Sequence, residues 1–162
     1  MFAIVSEVAA GVLREMTMEN SESHRNLVER ARVLARDAHA GQFRRDGVTP
    51  YVQHPEAVAS RVAGDPIAEA AAWLHDVLED TPLTAAALRD ANMPEEVIKC
   101  VEALTKKDGV SYDAYLVGIK ANPTAQKVKI ADMLANLSDH PTERQIAKYA
   151  KGLLFLVSES PE

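Results

Sequence analysis

The segment WLHDVLEDT, residues 73–81, concentrates ionisable side chains within an otherwise apolar pattern. His75 and Asp76 are adjacent, and Glu79 and Asp80 follow four residues later. Residues four apart share a face of a helix, so His75 would lie over Glu79, and Asp76 over Asp80. Burying several carboxylates together is costly unless a cation or a proton compensates for their charge. The segment therefore indicates a metal site rather than a solvated helix face.

His54 and Asp132 are the other residues whose types suit metal binding. With the His–Asp pair they would supply two imidazoles and two carboxylates, which suit a first-row divalent metal. Such a set leaves positions for water, which favours octahedral Mn²⁺ or Fe²⁺ over a closed structural zinc site. Water on such a metal is acidified enough to attack phosphorus near neutral pH. We expect Glu79 and Asp80 to orient that water or to act as general acid and base.

Each of these residues also has a purely structural interpretation. A single histidine such as His54, before Pro55, is more often a helix cap, and Asp132 alone would serve as a buried hydrogen-bonding residue. Glu79 and Asp80 could simply form an acidic helix end, although a C-terminus is the wrong end for acids. Spacing alone leaves both interpretations open.

The elements that must position these residues are predicted to be helices. Aromatic residues make up only 5% of the 162 residues, alanine is abundant, and no segment shows sustained alternation. Capping and turn residues predict helices over 22–40, 55–62, 66–80, 83–91, 95–105, 111–119, 124–138 and 141–157. We expect one all-α, bundle-like domain over residues 21–158. Residues 1–20 are predicted to form a loosely attached N-terminal extension.

Two of the predicted elements carry further polar residues. The loop after residue 40 contains Gly47 and Pro50, and it would present Arg44 and Arg45, together with His54. The helix over 124–138 has apolar residues on two sides, which predicts that it is largely buried. A polar line runs along this helix and comprises Lys129, Asp132, Asn136 and Asp139. Arg44 and Lys129 would pair with substrate phosphate oxygens.

Charge and cysteine content restrict the partners. The net charge of −6 argues against duplex nucleic acid, whereas six arginines between residues 25 and 45 suit a small phosphorylated ligand. A solvated face of mixed charge stays open for residues 25–36. Cys100 is the only cysteine, and the apolar N-terminus is too short to span a bilayer, so we expect a cytoplasmic protein without a membrane partner. The sequence does not predict an oligomeric state.

An isolated histidine, an adjacent His–Asp pair and a distant aspartate in a helical chain resemble the HD-domain metal phosphohydrolases. Four segments, in order over residues 22–157, resemble the hydrolase domain of RelA/SpoT-type proteins. They are AHAGQFRRDGVTPYVQHP, LHDVLEDT, the ALTK run at 103–106 and VKIADMLANL. Small stand-alone alarmone hydrolases are closest in length.

This resemblance implies a fold, a reaction and a set of roles. The fold would be the HD-domain helical bundle. The reaction would be Mn²⁺-dependent removal of pyrophosphate from the 3′ position of guanosine tetra- or pentaphosphate. The implied metal ligands are His54, His75, Asp76 and Asp132. The implied water-activating pair is Glu79 and Asp80, and the residues around the nucleotide are Arg44, Asn136 and Tyr149.

Met133 and Ala135 depart from the family pattern, which usually has a basic residue and a larger polar or aromatic residue at these positions. The departure leaves the nucleotide open. An HD phosphohydrolase acting on another nucleotide is the alternative, with a nucleoside monophosphate, an adenine alarmone or a phosphorylated dinucleotide as substrate. A non-catalytic nucleotide-binding module is the third hypothesis.

Overall fold

The protein is described by a computed structural model that covers the backbone of residues 2–158 and the side chains of residues 17–158. Within these residues there is no strand, and one isolated β-bridge joins Phe43 to Pro50 in a loop. The helices are α1 (Phe2–Ala38), α2 (Gln53–Arg61), α3 (Pro66–Leu74), α4 (Val77–Asp80), α5 (Ala85–Asp90), α6 (Glu95–Leu104), α7 (Tyr112–Lys120), α8 (Pro123–Leu137) and α9 (Glu143–Val157). The predicted all-α fold class is confirmed.

Helix α1 contains the predicted N-terminal extension. Its backbone is helical from Phe2, but the side chains of residues 1–16 lie outside the described part of the chain. The later part of α1 buries Leu27, Ala31 and Ala35 and packs against α3. The loose attachment of residues 1–20, and a domain boundary at residue 21, stay predictions.

Local capping chemistry fixes where several helices begin. The side chain of Asp65 accepts a hydrogen bond from the backbone N–H of Ala68 at 3.1 Å, and Pro66 takes the first position of α3. N-cap side chains also accept a backbone hydrogen bond at the starts of α5, α7, α8 and α9, where the capping residues are Thr84, Ser111, Asn122 and Thr142. These caps explain why most of the predicted boundaries agree with the structure within a few residues.

Helix α3 lies at the centre of the fold. It packs against α1, α2, α6 and α8, and its residues 70–74 are buried. Alanines fill much of this segment, so neighbouring helices can approach it closely. Cys100 of α6 is buried in the same core, and burial raises the pKa of its thiol to about 12. No helix in the described part of the chain is long and apolar enough to cross a membrane.

Two predictions about local structure and one alternative interpretation are wrong. The central helix is not continuous, because α3 ends at Leu74 and α4 begins at Val77. His54 does not belong to the loop, since it lies in the first turn of α2. It is not a helix cap either, because Val52 occupies that position.

Helix α8 buries Val128, Ala131 and Ala135 as predicted, but its second apolar side is only partly buried, since Leu134 is 44% exposed while Ile130 packs against the core. Met133 is fully buried instead. Its side chain lies against Gly152 of α9, where an added Cβ would come within 2.8 Å of the Met133 Cε atom. The glycine therefore permits the close approach of α9 to α8.

Candidate active site

Three packed elements bring the four predicted metal ligands together. His54 lies in the first turn of α2, and His75 and Asp76 form the turn between α3 and α4. Asp132 lies in the middle of α8. Because α2, α3 and α8 pack against one another, residues that are distant in sequence meet at one point.

The four side chains present their nitrogen and oxygen atoms to one another. The Nε2 atom of His54 lies 3.0 Å from Asp132 Oδ1, and the Nε2 atom of His75 lies 3.0 Å from Asp76 Oδ2. The two crossed nitrogen–oxygen pairs are each 3.8 Å apart. Ligands that bind a first-row metal at about 2.0–2.2 Å have this kind of mutual spacing. Donor atoms of His54, His75 and Asp132 all lie within 4.8 Å of one another and could share one ion, and Asp76 lies beside them against His75.

Helix α3 fixes the ring orientation of His75. Its Nδ1 donates a hydrogen bond to the backbone oxygen of Ala72 at 2.7 Å. That bond leaves Nε2 as the atom that can offer a lone pair. This Nε2 atom is buried, and although Asp76 Oδ2 lies 3.0 Å away, the geometry of the pair is not that of a hydrogen bond, so the atom has no hydrogen-bond partner among the described residues. A buried polar atom without a partner needs an explanation, and a bound metal ion is one.

Charges within the cluster compensate one another despite burial. Burial by itself would lower the pKa of His75, but the carboxylates of Asp76 and Asp132 outweigh it and raise that pKa to about 9. Burial likewise disfavours both carboxylates, yet His75 holds the pKa of Asp76 well below its usual range, and Lys129 does the same for Asp132. Two ionised carboxylates result, and a divalent cation could balance them in place of a proton on His75.

The polar line along α8 orients Asp132. Lys129 donates to Asp132 Oδ2 at 2.8 Å, and the side-chain amide of Asn136 donates to Asp132 Oδ1 at 2.7 Å. Burial works against the charge on Lys129, but Asp132 outweighs it and raises the pKa of the ammonium. At the end of the line Asp139 forms an ion pair with Arg44 of the loop.

The acidic pair, Glu79 and Asp80, belongs to α4. Glu79 Oε2 accepts a hydrogen bond from the backbone N–H of Lys106 at 3.1 Å, which ties the pair to the ALTK run. The turn at Asp76 remains helical in hydrogen bonding, because the N–H of Asp80 donates to the Asp76 carbonyl at 2.9 Å. Asp80 therefore still lies one helical turn after Asp76, as predicted, although α3 and α4 are separate helices.

Tyr51 is a site residue that sequence reasoning missed. Its hydroxyl donates to Asp76 Oδ2 at 2.6 Å and lies 3.3 Å from Asp80 Oδ2. Burial and these two carboxylates all raise the pKa of the phenol, so it stays a donor. The sequence contains one indication of this role: Tyr51 lies three residues before His54, and residues three apart lie on the same side of a helix.

A cleft with a volume of about 330 Å³ lies beside the cluster. The predicted site residues that line it are Arg44, His54, Asp76, Glu79, Lys129, Asp132, Asn136 and Tyr149. His75 and Asp80 are not part of the lining. The lining residues absent from the predicted set are Phe43, Arg45, Tyr51, Leu104 and Gln145. A larger groove of about 740 Å³ runs along α1 near Pro66, but it contains none of these residues.

The loop arginines are held in place by Asp139, which follows α8, and by Gln145 of α9. Arg44 pairs with Asp139, and Arg45 donates to the side-chain oxygen of Gln145 at 3.1 Å. Lys148, on the same helix as Gln145, lies over the ring of Tyr149 at 5.6 Å from its centroid. The lining of the cleft thus combines candidate metal ligands with Arg44, Arg45 and the aromatic ring of Tyr149.

Comparisons with known proteins agree with this geometry. The family model described as HD domain matches residues 31–137. The chain is 45% identical over 83 residues to the guanosine-3′,5′-bis(diphosphate) 3′-pyrophosphohydrolase of Haemophilus influenzae, a match that covers 49% of this chain and 12% of that protein. It is 34% identical over 138 residues to the probable GTP pyrophosphokinase of Mycobacterium leprae, covering 76% of this chain and 17% of that protein. The chain thus spans less than a fifth of the length of these curated relatives.

A solved structure is also similar. It is described with the words "A metazoan ortholog of SpoT hydrolyzes ppGpp and plays a role in starvation responses". The TM-score is 0.68 at 25% identity, and the match covers 80% of this chain and 84% of that one. These relatives confirm the predicted resemblance to RelA/SpoT-type proteins. Because the family model spans more than half of the sequence, the chain belongs to the HD-domain family.

Proposed function

We propose that this protein hydrolyses guanosine tetra- or pentaphosphate at the 3′ position and releases pyrophosphate. In this reaction the bond between the 3′ oxygen and phosphorus breaks, and water supplies the hydroxyl group to pyrophosphate and a proton to the 3′ oxygen. The observation that carries the proposal is the four-residue cluster of His54, His75, Asp76 and Asp132 beside a cleft that also contains an acid and several cations. The activity named for the Haemophilus relative supports the same reaction.

The cofactor of the proposed reaction is a divalent metal, with Mn²⁺ as the preferred ion and Fe²⁺ or another first-row ion as alternatives. His54, His75, Asp76 and Asp132 would hold it, because donor atoms of His54, His75 and Asp132 lie within 4.8 Å of one another and Asp76 Oδ2 lies 3.0 Å from the buried Nε2 of His75. When bound, such an ion polarises a phosphoryl oxygen and acidifies water.

Glu79 and Asp80 are proposed to orient the attacking water and to receive its proton. Glu79 lines the cleft, and the Lys106 N–H holds one oxygen of its carboxylate, which leaves the other oxygen for a new hydrogen bond. Asp80 lies behind Tyr51 and is exposed to solvent, so it is suited to pass the proton outward.

Four residues are proposed to bind the substrate. Arg44 would exchange its Asp139 partner for phosphate oxygens, which a guanidinium can bind with two parallel hydrogen bonds. Lys129 uses one of its three N–H donors on Asp132, and the others are available for phosphate. Asn136 and Tyr149 line the same cleft and would contact the nucleoside.

The substrate is proposed to be a small nucleotide and not a nucleic-acid polymer. The net charge of −6 and the size of the cleft, about 330 Å³, both favour a single nucleotide. A cytoplasmic location is proposed because the one cysteine is free and buried.

A second candidate substrate class is favoured by one observation at Ala135. This residue lines a small cavity of about 140 Å³ together with Arg44, Gln53 and His54. The cavity offers room beside a metal ligand for an additional substrate group. An HD phosphohydrolase acting on a nucleoside monophosphate, an adenine alarmone or a phosphorylated dinucleotide is therefore the alternative.

A nucleotide panel with added Mn²⁺ tests both candidates. Guanosine tetraphosphate, guanosine pentaphosphate, adenine alarmones, monophosphates and phosphorylated dinucleotides are incubated separately, and released pyrophosphate and phosphate are quantified by ion chromatography. Pyrophosphate from the guanosine compounds is the expected product. Pyrophosphate from an adenine alarmone, or phosphate from a monophosphate or a phosphorylated dinucleotide, without turnover of the guanosine compounds, would favour the second candidate. Binding without turnover, under conditions where a homologue is active, would instead favour a nucleotide-binding module.

A further inference from the structure

The hydroxyl of Tyr51 lies between two carboxylates that have different proposed roles. It donates to Asp76 Oδ2 at 2.6 Å, a short distance typical of hydrogen bonds to ionised acceptors, and it lies 3.3 Å from Asp80 Oδ2. Oδ2 of Asp76 is also the oxygen that faces the Nε2 atoms of His75 and His54. One hydroxyl therefore contacts both the metal-facing oxygen and the neighbouring acid.

The ring of Tyr51 is confined, so its hydroxyl has a fixed position. Its centroid lies 4.8 Å from the ring of buried His39 and 6.0 Å from the ring of His54. The backbone N–H of Tyr51 donates to the Gln42 carbonyl at 2.9 Å, which anchors the residue to the start of the loop. A hydroxyl on a ring held in this way can orient a carboxylate without losing much side-chain entropy.

Gln42 forms a second connection to Asp80, in addition to that of Tyr51. Its Nε2 donates to the backbone oxygen of Asp80 at 2.9 Å, and its Oε1 lies 2.8 Å from Nδ1 of His39. Since the amide oxygen can only accept, Nδ1 of His39 is the donor in this pair. The side chain of Asp80 is thus held by Tyr51, and its backbone by Gln42.

Tyr51 also reduces repulsion between like charges. Without a donor between them, the carboxylates of Asp76 and Asp80 would repel each other and turn apart. The phenolic proton attracts both, and it keeps Asp76 Oδ2 directed at the two histidines. Such an outer partner of a metal ligand affects metal affinity as well as activity.

We propose that Tyr51 is a positioning residue that holds Asp76 in its metal-binding orientation and couples it to Asp80, while Gln42 fixes the backbone of Asp80. The part that concerns Asp80 rests on the proposed hydrolase function. The part that concerns Asp76 is testable without any nucleotide.

Tyr51→Phe removes the hydroxyl and retains the ring between His39 and His54. We expect the Mn²⁺ dissociation constant of the metal-free protein, measured by isothermal titration calorimetry, to rise about 10-fold to 100-fold. With guanosine tetraphosphate we expect kcat at saturating Mn²⁺ to fall about 10-fold or more while KM changes less than twofold. The matched control is Tyr112→Phe, because the Tyr112 hydroxyl is buried, lies outside the cleft lining and has no hydrogen-bond partner among the described residues. This control is expected to keep the wild-type Mn²⁺ affinity.

Gln42→Met tests the second connection separately. The side chain keeps its length but loses both hydrogen bonds, and it contacts Asp80 rather than Asp76. We expect kcat to fall about 10-fold with the Mn²⁺ dissociation constant unchanged within twofold. A melting curve of each metal-free variant checks that it is folded, and both should melt within a few degrees of the wild type.

Several outcomes would overturn the inference. They are an unchanged Mn²⁺ affinity in Tyr51→Phe, an equal loss in Tyr112→Phe, or a KM increase without a kcat change. A wild-type protein that binds no Mn²⁺ would overturn it too. If Tyr51→Phe lost Mn²⁺ affinity while the wild type did not hydrolyse guanosine tetraphosphate, the substrate assignment would fail and the role of Tyr51 at Asp76 would stand.

Discussion

Lys127 of α8 lies 2.9 Å from the carboxylate of Asp65, the residue that caps α3. This ion pair joins the two helices that carry Asp132 and the His75–Asp76 turn. Both side chains are substantially exposed, at 40% for Asp65 and 49% for Lys127. Solvent screening therefore limits the contribution of the pair itself to a few tenths of a kcal/mol, and the cap contributes the larger share, about 1 kcal/mol.

Asp65→Ala is accordingly expected to lower the free energy of unfolding by about 1 kcal/mol, measured by urea denaturation at pH 7. Asp65→Asn keeps an acceptor for the Ala68 N–H and should cost clearly less, since asparagine caps helices as well as aspartate does. Equal losses in the two variants would contradict the assignment of the effect to the cap.

The same position gives a prediction about pH. The hydrogen bond from Lys127 lowers the pKa of Asp65, the Ala68 N–H adds to this, and burial opposes it. A carboxyl group with a lowered folded-state pKa stabilises the protein above its unfolded pKa of about 4, and the benefit is lost as pH falls through the folded value. The stability difference between wild type and Asp65→Asn should therefore shrink on going from pH 7 to about pH 3. A difference that grew on acidification would have the wrong sign.

Asp76→Ala and Glu79→Ala should separate metal binding from chemistry. The first removes a converging oxygen, so we expect loss of bound Mn²⁺ and at least a 100-fold loss of activity. The second leaves the cluster intact, so we expect a similar loss of activity with Mn²⁺ still bound. Mass spectrometry of the purified variants measures how much metal each retains and so distinguishes the two roles. Loss of metal in Glu79→Ala would make Glu79 a ligand instead.

Metal binding is expected to stabilise the fold, because the ligands come from α2, the α3–α4 turn and α8. At a free Mn²⁺ concentration of about 100 times its dissociation constant, the gain is about 2.7 kcal/mol if only the folded state binds the ion. Melting curves with chelator and with added Mn²⁺ measure this gain. Asp76→Ala is the control and should melt at the same temperature under both conditions.

Arg44→Lys is expected to raise KM for guanosine tetraphosphate about tenfold with little change in bound metal. Lysine keeps the charge but loses the two parallel N–H groups that suit phosphate, and losing one charge-assisted hydrogen bond corresponds to about this factor. Asp139→Asn weakens the competing ion pair and should lower KM or leave it unchanged. Steady-state kinetics of both variants provide the measurement, and an increase of KM in Asp139→Asn would show that Asp139 positions Arg44 productively.

Helix starts were predictable because capping is local chemistry. Asp65 with Pro66, Ser111, and Asn122 with Pro123 each mark a boundary within a few residues of its position in the structure. The four candidate ligands were identified by residue type and by resemblance, not by spacing. Their convergence depends on the packing of α2, α3 and α8, which no local pattern encodes.

The features that sequence reasoning missed all depend on tertiary contacts. The break at His75 and Asp76 falls in a segment whose residues would also fit a continuous helix, and both residues keep right-handed backbone angles. The role of Tyr51 depends on how the loop places it against α4. Met133 departs from the family pattern, but it is buried against Gly152 and does not line the cleft. Ala135, which lines the small cavity, is therefore the more informative departure from the family pattern.

Gly152 also has a consequence for the shape of the cleft. Helix α9 supplies Tyr149 and Gln145 to one wall, and α8 supplies Lys129 and Asn136 to the adjoining one. A Cβ atom at position 152 would come within 2.8 Å of the terminal methyl of Met133 and 3.3 Å of the Tyr112 hydroxyl, so a larger residue there would require Met133 or α9 to shift. A substitution at position 152 could therefore move the wall that Tyr149 and Gln145 form, and the size of the accepted substrate could change in evolution without any substitution among the lining residues.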